Sequence, residues 1–545
     1  MLHYVGIINR DYWVSESNAS IEVPELSQLS QQLKLQCRDL GPGFHRIILE
    51  HGAVSLTLCV GATPAMLSEQ VFKADTLYAC APDNKWTVQL LARRCNRGTR
   101  FCLSMTDDCE NGETAERHLK TLLHGAGFQL DDMVSDSKSL TGRFDPPWEI
   151  PNNRHPARRE APVPGRCAVI GAGLAGASVA SAMALRGWQV TVVDQAAVPA
   201  GGASGLPAGL AVPHVSADDS PRSRLTRNGI RLLAQHARRL LKSEWDWSQS
   251  GVLERHADGT AQWHPQAAWV KPSELVKAWL TDPLITFKGN TKVATLHRTQ
   301  GLWLLSDVQS NEFGPFEVVV VANAMGCSAL LKSSNSWSEA QSTGLSESGL
   351  ADKLSALQAV HGTLSHGIYA EEVPDLPATP VNGNGCFIPR VPVNEGEQWC
   401  VGSSFEPDVL AAADTWTQHA SNMQRLQHLL PGAGTEIAET LDRGPVSQWS
   451  ATRCVTHDRL PLVGPVGNDP NGGLWLCVGM GSRGLSFSAL CAELLAARLC
   501  AEPLPIEFSL SRSLDANRAR RKRKSKEMEN ARPIPFAANP RPGVG

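Results

Sequence analysis

The chain has 545 residues, of which 42% are hydrophobic and 19% charged, the balance of an ordinary soluble globular protein with room for two to four domains. A formal net charge of −3 gives no global attraction for nucleic acid, so any such binding must come from a local patch. Fourteen scattered cysteines without a C-x-x-C pair favour reduced thiols in a cytoplasmic setting over a disulfide framework or a metal cluster. With no apolar run of about 18 residues and no leader-like start, neither a membrane span nor a signal peptide is expected.

In chain order, residues 45–62 (HRIILEHGAVSLTLCVGA) predict a hairpin turning at 50–53,. Residues 74–78 suit a further strand, and 116–128 an amphipathic helix stopped by glycine. This order reads as part of an α/β domain over 1–143, with no glycine-rich turn of its own. Residues 144–165 are rich in Pro and Arg and read as an extended linker.

The most informative stretch follows. Residues 167–187 (CAVIGAGLAGASVASAMALRG) and WQVTVVD to Asp194 predict strand, glycine turn, small-residue helix, second strand and terminal acid. Gly171, Gly173 and Gly176 have the G-x-G-x-x-G spacing. Gly171 permits the turn, Gly173 lets a pyrophosphate approach the backbone, and Gly176 lets helix and strand pack closely. Asp194 stands where a ribose hydroxyl would donate to it. Residues 316–324 (FEVVVVANA) suit a buried parallel strand whose tip at Ala322 and Asn323 admits a ring system. Residues 474–497 repeat strand, glycine turn and helix, which suits a bulky dinucleotide such as FAD. A Ser-rich stretch at 333–348 reads as a loop, and a basic tail (RARRKRKSK, 518–526) ends the chain in Pro/Gly-rich sequence.

The fingerprint, the run Gly201-Gly202-Ala203-Ser204-Gly205 and TRCVTHDRLP at 452–461 resemble flavoprotein amine oxidases of the glycine oxidase and sarcosine oxidase type. WVKPSEL at 269–275, RCVTHDRLPLVG at 453–464 and GSRGLSFSALCAELLAA at 481–497 more closely resemble the bifunctional tRNA 5-methylaminomethyl-2-thiouridine biosynthesis proteins, the MnmC family. The likeness spans about 166–510 and reaches weakly into the first segment. It implies an α/β fold: an FAD-binding Rossmann-type, glycine oxidase-like domain (about 166–205, 291–330 and 446–510). An α+β substrate domain (about 206–290 and 331–445) completes it, behind a truncated methyltransferase-like segment at 1–143; residues 511–545 form the tail.

The implied reaction is FAD-dependent removal of the carboxymethyl group from 5-carboxymethylaminomethyl-(2-thio)uridine at the tRNA wobble position. Arg453 is the implied clamp for the substrate carboxylate. Ser204, Gly481, Ser482, Arg483, Gly484 and Leu485 join the glycine fingerprint, Asp194, Ala322 and Asn323 as implied FAD contacts. Arg483 reads either as a partner for anionic flavin or as a solvated cation, and Asp458 as a loop organiser. The family's long S-adenosylmethionine loop is absent, and its Asp-Gly-Phe-Ala-Pro run is reduced to YACAPDNKW at 78–86, so methyl transfer is expected to be lost. Ala324 stands where the family tends to have glycine. The tail, Arg231, Arg238 and Arg239, and Arg154, Arg158 and Arg159 are candidates for a tRNA patch or for plain solvated charge. Oxidation of a free small amino acid such as glycine or sarcosine, and flavin or tRNA binding without turnover, remain the alternatives.

Overall fold

The computed structural model describes residues 1–8, 27–37, 40–105, 112–131, 139–149, 162–333, 354, 357–407, 415–467 and 472–518. Its central sheet has six strands in the order Ile285–Lys288, Gln189–Val193, Arg166–Ile170, Val318–Val321, Leu474–Val478 and Leu462–Pro465. Five run parallel and the last pairs antiparallel. Val318–Val321 and Leu474–Val478 are buried at every position, because both faces of the sheet are covered.

The period of two along a strand decides what each face meets. Cys167, Val169, Val318, Val320, Trp475 and Cys477 pack against helices Leu174–Ala184, Pro221–Leu240 and Gly484–Leu499. Their neighbours Ala168, Ile170, Val319, Val321, Leu474 and Leu476 pack against a three-stranded antiparallel sheet, Val293–Thr299, Leu302–Asp307 and Glu312–Phe316. The helices approach closely because small residues line their contacts. A Cβ at Gly229 would stand 1.8 Å from the Ser486 carbonyl oxygen of the facing helix.

A second, eight-stranded sheet runs through Ala261–His264, Val252–Arg255, Val381–Gly383, Gly385–Val393, Gly396–Gly402, Gln358–Ile368 and Glu406–Pro407. Val446–Val455 also pairs with Gln358–Ile368, in ten-residue antiparallel register. Phe387, Trp399 and Val401 of this sheet pack under helices Thr415–Leu429 and Gly434–Arg443 through Leu426, Ile437 and Leu441.

These sheets cut across the divisions expected from sequence. The first strand of 446–510 belongs to the antiparallel sheet and the rest to the parallel one. Within 206–290, Pro221–Leu240 and Pro272–Trp279 join the core of the dinucleotide unit, while Val252–Arg255 and Ala261–His264 belong to the other sheet. Long-range pairing decides membership, and the local pattern of apolar residues carries no information about it.

The N-terminal segment forms two small sheets. Gly43–Leu49 and Val54–Val60 make the expected hairpin around Glu50–Gly52, and Leu2–Ile8 adds in parallel. Ala74–Cys80, Cys95–Ser104, Ser139–Phe144 and Phe128–Leu130 form a four-stranded sheet. Its core holds Leu90 and Leu91 of helix Lys85–Arg93, Leu119 and Leu123 of helix Gly112–Gly125, and edge-to-face Phe101, Phe128 and Phe144.

The hairpin docks on helix Pro221–Leu240, where Gln235 Nε2 donates to the Arg46 carbonyl at 2.8 Å and Gln235 Oε1 accepts from Ile48 N at 3.3 Å. Arg46 is buried, 4.0 Å from Glu493. Glu493 in turn accepts two bonds of 3.1 Å from Arg186, which also forks onto Glu502 at 2.6 and 2.7 Å.

Among the described residues, no helix is long and apolar enough to cross a membrane and no His/Cys/Asp/Glu group is arranged to hold a metal ion. Arg154, Arg158, Arg159 and most of the Ser-rich stretch and basic tail lie outside the described residues.

Candidate active site

Both glycine turns and the tip of Val318–Val321 open onto one cavity of about 1000 Å³. Gly171 has φ +109°, and a Cβ there would stand 2.7 Å from the Ala322 carbonyl oxygen. A Cβ at Gly176 would lie 1.7 Å from the Gly171 carbonyl oxygen, so helix Leu174–Ala184 sits directly on the turn. That helix begins at Gly173 without a side-chain cap of its own, which leaves its amide dipoles facing the cavity. Ser204 reaches in from the 201–205 run, its Oγ accepting from Leu174 N at 2.9 Å. The Asp194 carboxylate accepts from Ala172 N at 2.6 Å and Ala196 N at 2.8 Å, and each oxygen keeps a lone pair for a further donor.

On the opposite wall, Gly481 has φ +57° and starts the turn Gly481–Arg483 that leads into helix Gly484–Leu499. Gly484 packs on Leu174, joining the two turns, and Leu485 is buried beneath Gly209. Ala322 and Asn323 line the floor, where the buried Asn323 Oδ1 has no protein partner among the described residues. Ala324 takes φ +52°, the left-handed conformation that glycine adopts without cost. Thus Gly171, Gly173, Asp194, Ser204, Ala322, Asn323, Arg453, Gly481, Ser482, Arg483, Gly484 and Leu485 all border the cavity, while Gly176 shapes the turn from behind.

Arg453 enters from the other sheet. Its strand aligns it with Val360, and a Cβ at Gly362 would stand 2.4 Å from Nη2. The missing Cβ is what gives the guanidinium its seat. Nη2 donates to Ser403 Oγ at 2.7 Å, and the guanidinium lies 4.9 Å from the centre of the Phe405 ring. Among the described residues no carboxylate ion-pairs with Arg453; burial lowers its pKa from the ordinary arginine value. A buried, uncompensated guanidinium is costly unless a ligand anion completes it.

Sequence reasoning missed several residues that line the same space: Glu254, Asn382, Ser403, Phe405 and Trp449. The Glu254 carboxylate accepts from His264 Nε2 at 2.8 Å and from Asn382 Nδ2 at 3.2 Å. The His264 bond holds its pKa below the usual carboxylate value. No local motif marks these positions, because strand register brings them together across more than a hundred residues. Asp458 is a loop organiser: it accepts from Leu460 N at 3.1 Å and takes the fork of Arg518 at 2.8 and 2.9 Å. Arg238 donates to Gln249, and Arg239 beside it is exposed.

Residues 166–263 and 254–498 match the FAD dependent oxidoreductase family. The glycine oxidase of Geobacillus kaustophilus shares the fold with a TM-score of 0.52, 18% identity, and coverage of 66% of this chain and 100% of that one. The tRNA 5-methylaminomethyl-2-thiouridine biosynthesis bifunctional protein MnmC of Albidiferax ferrireducens is 44% identical over 95% of this chain and 88% of its own length. Its counterpart from Polaromonas naphthalenivorans is 40% identical over 89% and 80%. The cavity's volume, its paired glycine turns and its orphaned Asn323 oxygen fit the dinucleotide of the FAD dependent oxidoreductase family. The chain therefore belongs to the MnmC family, and it is an FAD-dependent oxidoreductase.

Proposed function

We propose that the chain acts on the CH–NH unit of 5-carboxymethylaminomethyl-(2-thio)uridine at the tRNA wobble position, leaving aminomethyl-uridine, and that it does not carry out a methyl transfer. The relatives' names speak of tRNA 5-methylaminomethyl-2-thiouridine biosynthesis, and the carboxymethylated precursor is what the family resemblance implies. The observation that carries the chemistry is Arg453, a partly buried guanidinium with no carboxylate ion pair among the described residues, bordering the cavity that the glycine turns enclose.

When bound, FAD supplies the two-electron acceptor for the C–H of the CH₂ between amine and carboxylate. The protein's part is positioning. Arg453 holds the carboxylate through its planar fork, Ser403 fixes that fork, and Phe405 covers its face,. Water then hydrolyses the oxidised C=N bond, releasing glyoxylate and the primary amine. Gly173, Ser204 and the start of helix Leu174–Ala184 hold the pyrophosphate. Asp194 takes a ribose hydroxyl, and Ala322, Asn323 and residues 481–485 bound the ring system.

The reading without methyl transfer is supported by the N-terminal segment, whose sequence carries no glycine-rich turn and whose described strands form separate three- and four-stranded sheets. Saturable S-adenosylmethionine binding in a calorimetric titration would overturn this part of the reading.

The oxidation is tested by anaerobic titration of the flavin absorbance with tRNA bearing carboxymethylaminomethyl-uridine, followed by nucleoside mass spectrometry. Bleaching with appearance of aminomethyl-uridine is expected. A flavin that stays oxidised with this tRNA but bleaches with free glycine or sarcosine would transfer the assignment to a free amino-acid oxidase.

A further inference from the structure

Beyond the lining of the cavity, positive charge accumulates without acids to balance it. Arg483 stands in the cavity wall, its Nη1 donating to the Val212 carbonyl at 3.2 Å. Two residues on, His214 Nε2 lies 2.6 Å from Nη2 of Arg222, at the start of helix Pro221–Leu240. Burial, Arg222 and Arg483 bring the His214 pKa down to about 4, so the neutral ring accepts from the guanidinium. Arg459, on the turn after the Arg453 strand, is close enough to lower the pKa of both Arg222 and Arg483, adding to the effect of burial on each.

Arg186, Arg227, Arg498 and Arg518 each pair with a carboxylate. Among the described residues no carboxylate ion-pairs with Arg222, Arg459 or Arg483, and the buried Arg222 Nε has no partner. Glu254 acts on Arg483, yet its oxygens are already engaged by His264 and Asn382. Arg222 and Arg483, which repel each other in a partly desolvated place with the exposed Arg459 nearby, are retained at a cost in stability,. A single substrate carboxylate, already met by Arg453 inside the cavity, does not offset that cost. Several anionic groups in sequence outside the cavity do, and phosphodiesters match the planar fork of arginine.

We propose that Arg222 and Arg459, with His214, next to Arg483 of the cavity wall, form a binding site for the RNA phosphates flanking the nucleotide that enters the cavity. This rests on the reading of tRNA as substrate, and it assigns where that polymer's backbone lies.

The test is fluorescence-anisotropy binding of an anticodon stem-loop RNA to the flavin-loaded protein across a salt series. It compares wild type with Arg222→Gln, Arg459→Gln, the double variant and Arg227→Gln. Each lost phosphate contact reduces the slope of log affinity against log salt by roughly 0.7. The two single variants should each show one such step and the double variant two. Arg227, paired with Asp219 on the same helix, should show none. Flavin content per protein reports folding, and the exposed Arg459 position gives a test that does not threaten the helix. Wild-type slopes in both single variants would overturn the proposal, as would an equal loss from Arg227→Gln. Because the readout is binding, it stands apart from the oxidation test. RNA that binds as expected without bleaching the flavin sinks the proposed reaction and leaves this site in place.

Discussion

Arg453 and Ala324 show what single residues contribute here. Arg453 acts through shape as much as charge, because Ser403 and the Phe405 ring fix the plane of its fork. Arg453→Lys keeps the charge and loses the fork, so kcat/KM for modified tRNA should fall roughly 10- to 100-fold with flavin content unchanged. Stopped-flow reduction at saturating and limiting substrate measures it; unchanged kinetics would remove the clamp. Ala324 is a cost the chain carries at φ +52°. Ala324→Gly relieves left-handed strain of about 1–2 kcal/mol and returns part of it as unfolded-state entropy. The net gain should be about 0.5–1 kcal/mol in chemical denaturation.

Both residues were legible in the sequence, Arg453 because it sits in a contiguous run and Ala324 because it departs from one. Glu254 was not. Its place in the cavity depends on pairing with Asn382, which is 128 positions away, and nothing local encodes that neighbour.

At the scale of elements, strand–turn–helix units with their glycines were readable, since periodicity and turn chemistry are local properties. The neighbour of the Val446–Val455 strand was not readable for the opposite reason: it pairs with Gln358–Ile368, some ninety positions away in the chain. Helix Gly484–Leu499 serves two ends. Its first turn borders the cavity, and Glu493 within it is 2% exposed between Arg186 and Arg46. Burial alone would raise the Glu493 pKa, but the charge and hydrogen bonds of Arg186, together with Arg46 and His236, outweigh it and hold the pKa at about 2. A carboxylate depressed in the folded state stabilises above its unfolded pKa and loses that contribution as pH falls towards the folded value. Stability from this group should therefore be constant above about pH 4.5 and disappear between there and about pH 2. Glu493→Gln leaves the buried Arg46 without an ion-pair partner and Arg186 with Glu502 alone, and should cost about 3–5 kcal/mol at pH 7. Urea titrations of both proteins across pH check this; equal acid sensitivity would argue against it.

On the scale of the whole molecule, the N-terminal segment is built into the oxidoreductase. Residue Arg46 of its hairpin reaches Glu493 and the Pro503 carbonyl, and Glu69 accepts from Phe508 N and Ser509 N. Removing residues 1–149 should lower the melting temperature by roughly 5–10 °C, through loss of the buried arginine and the hairpin contact. The flavin fluorescence of full-length and shortened protein during heating measures it. Coincident melts would mean that the segment is only carried along. An overall charge near zero concealed the basic rim, because formal charge sums over the whole surface while binding depends on its local distribution.

Arg518 forks onto Asp458 and donates to the Leu460 and Pro461 carbonyls, beside Arg459. Six more basic side chains follow by residue 526. The chain therefore enters its most basic stretch from an ion-paired anchor at Asp458, one residue from Arg459, so the fixed part of the molecule sets where that charge begins.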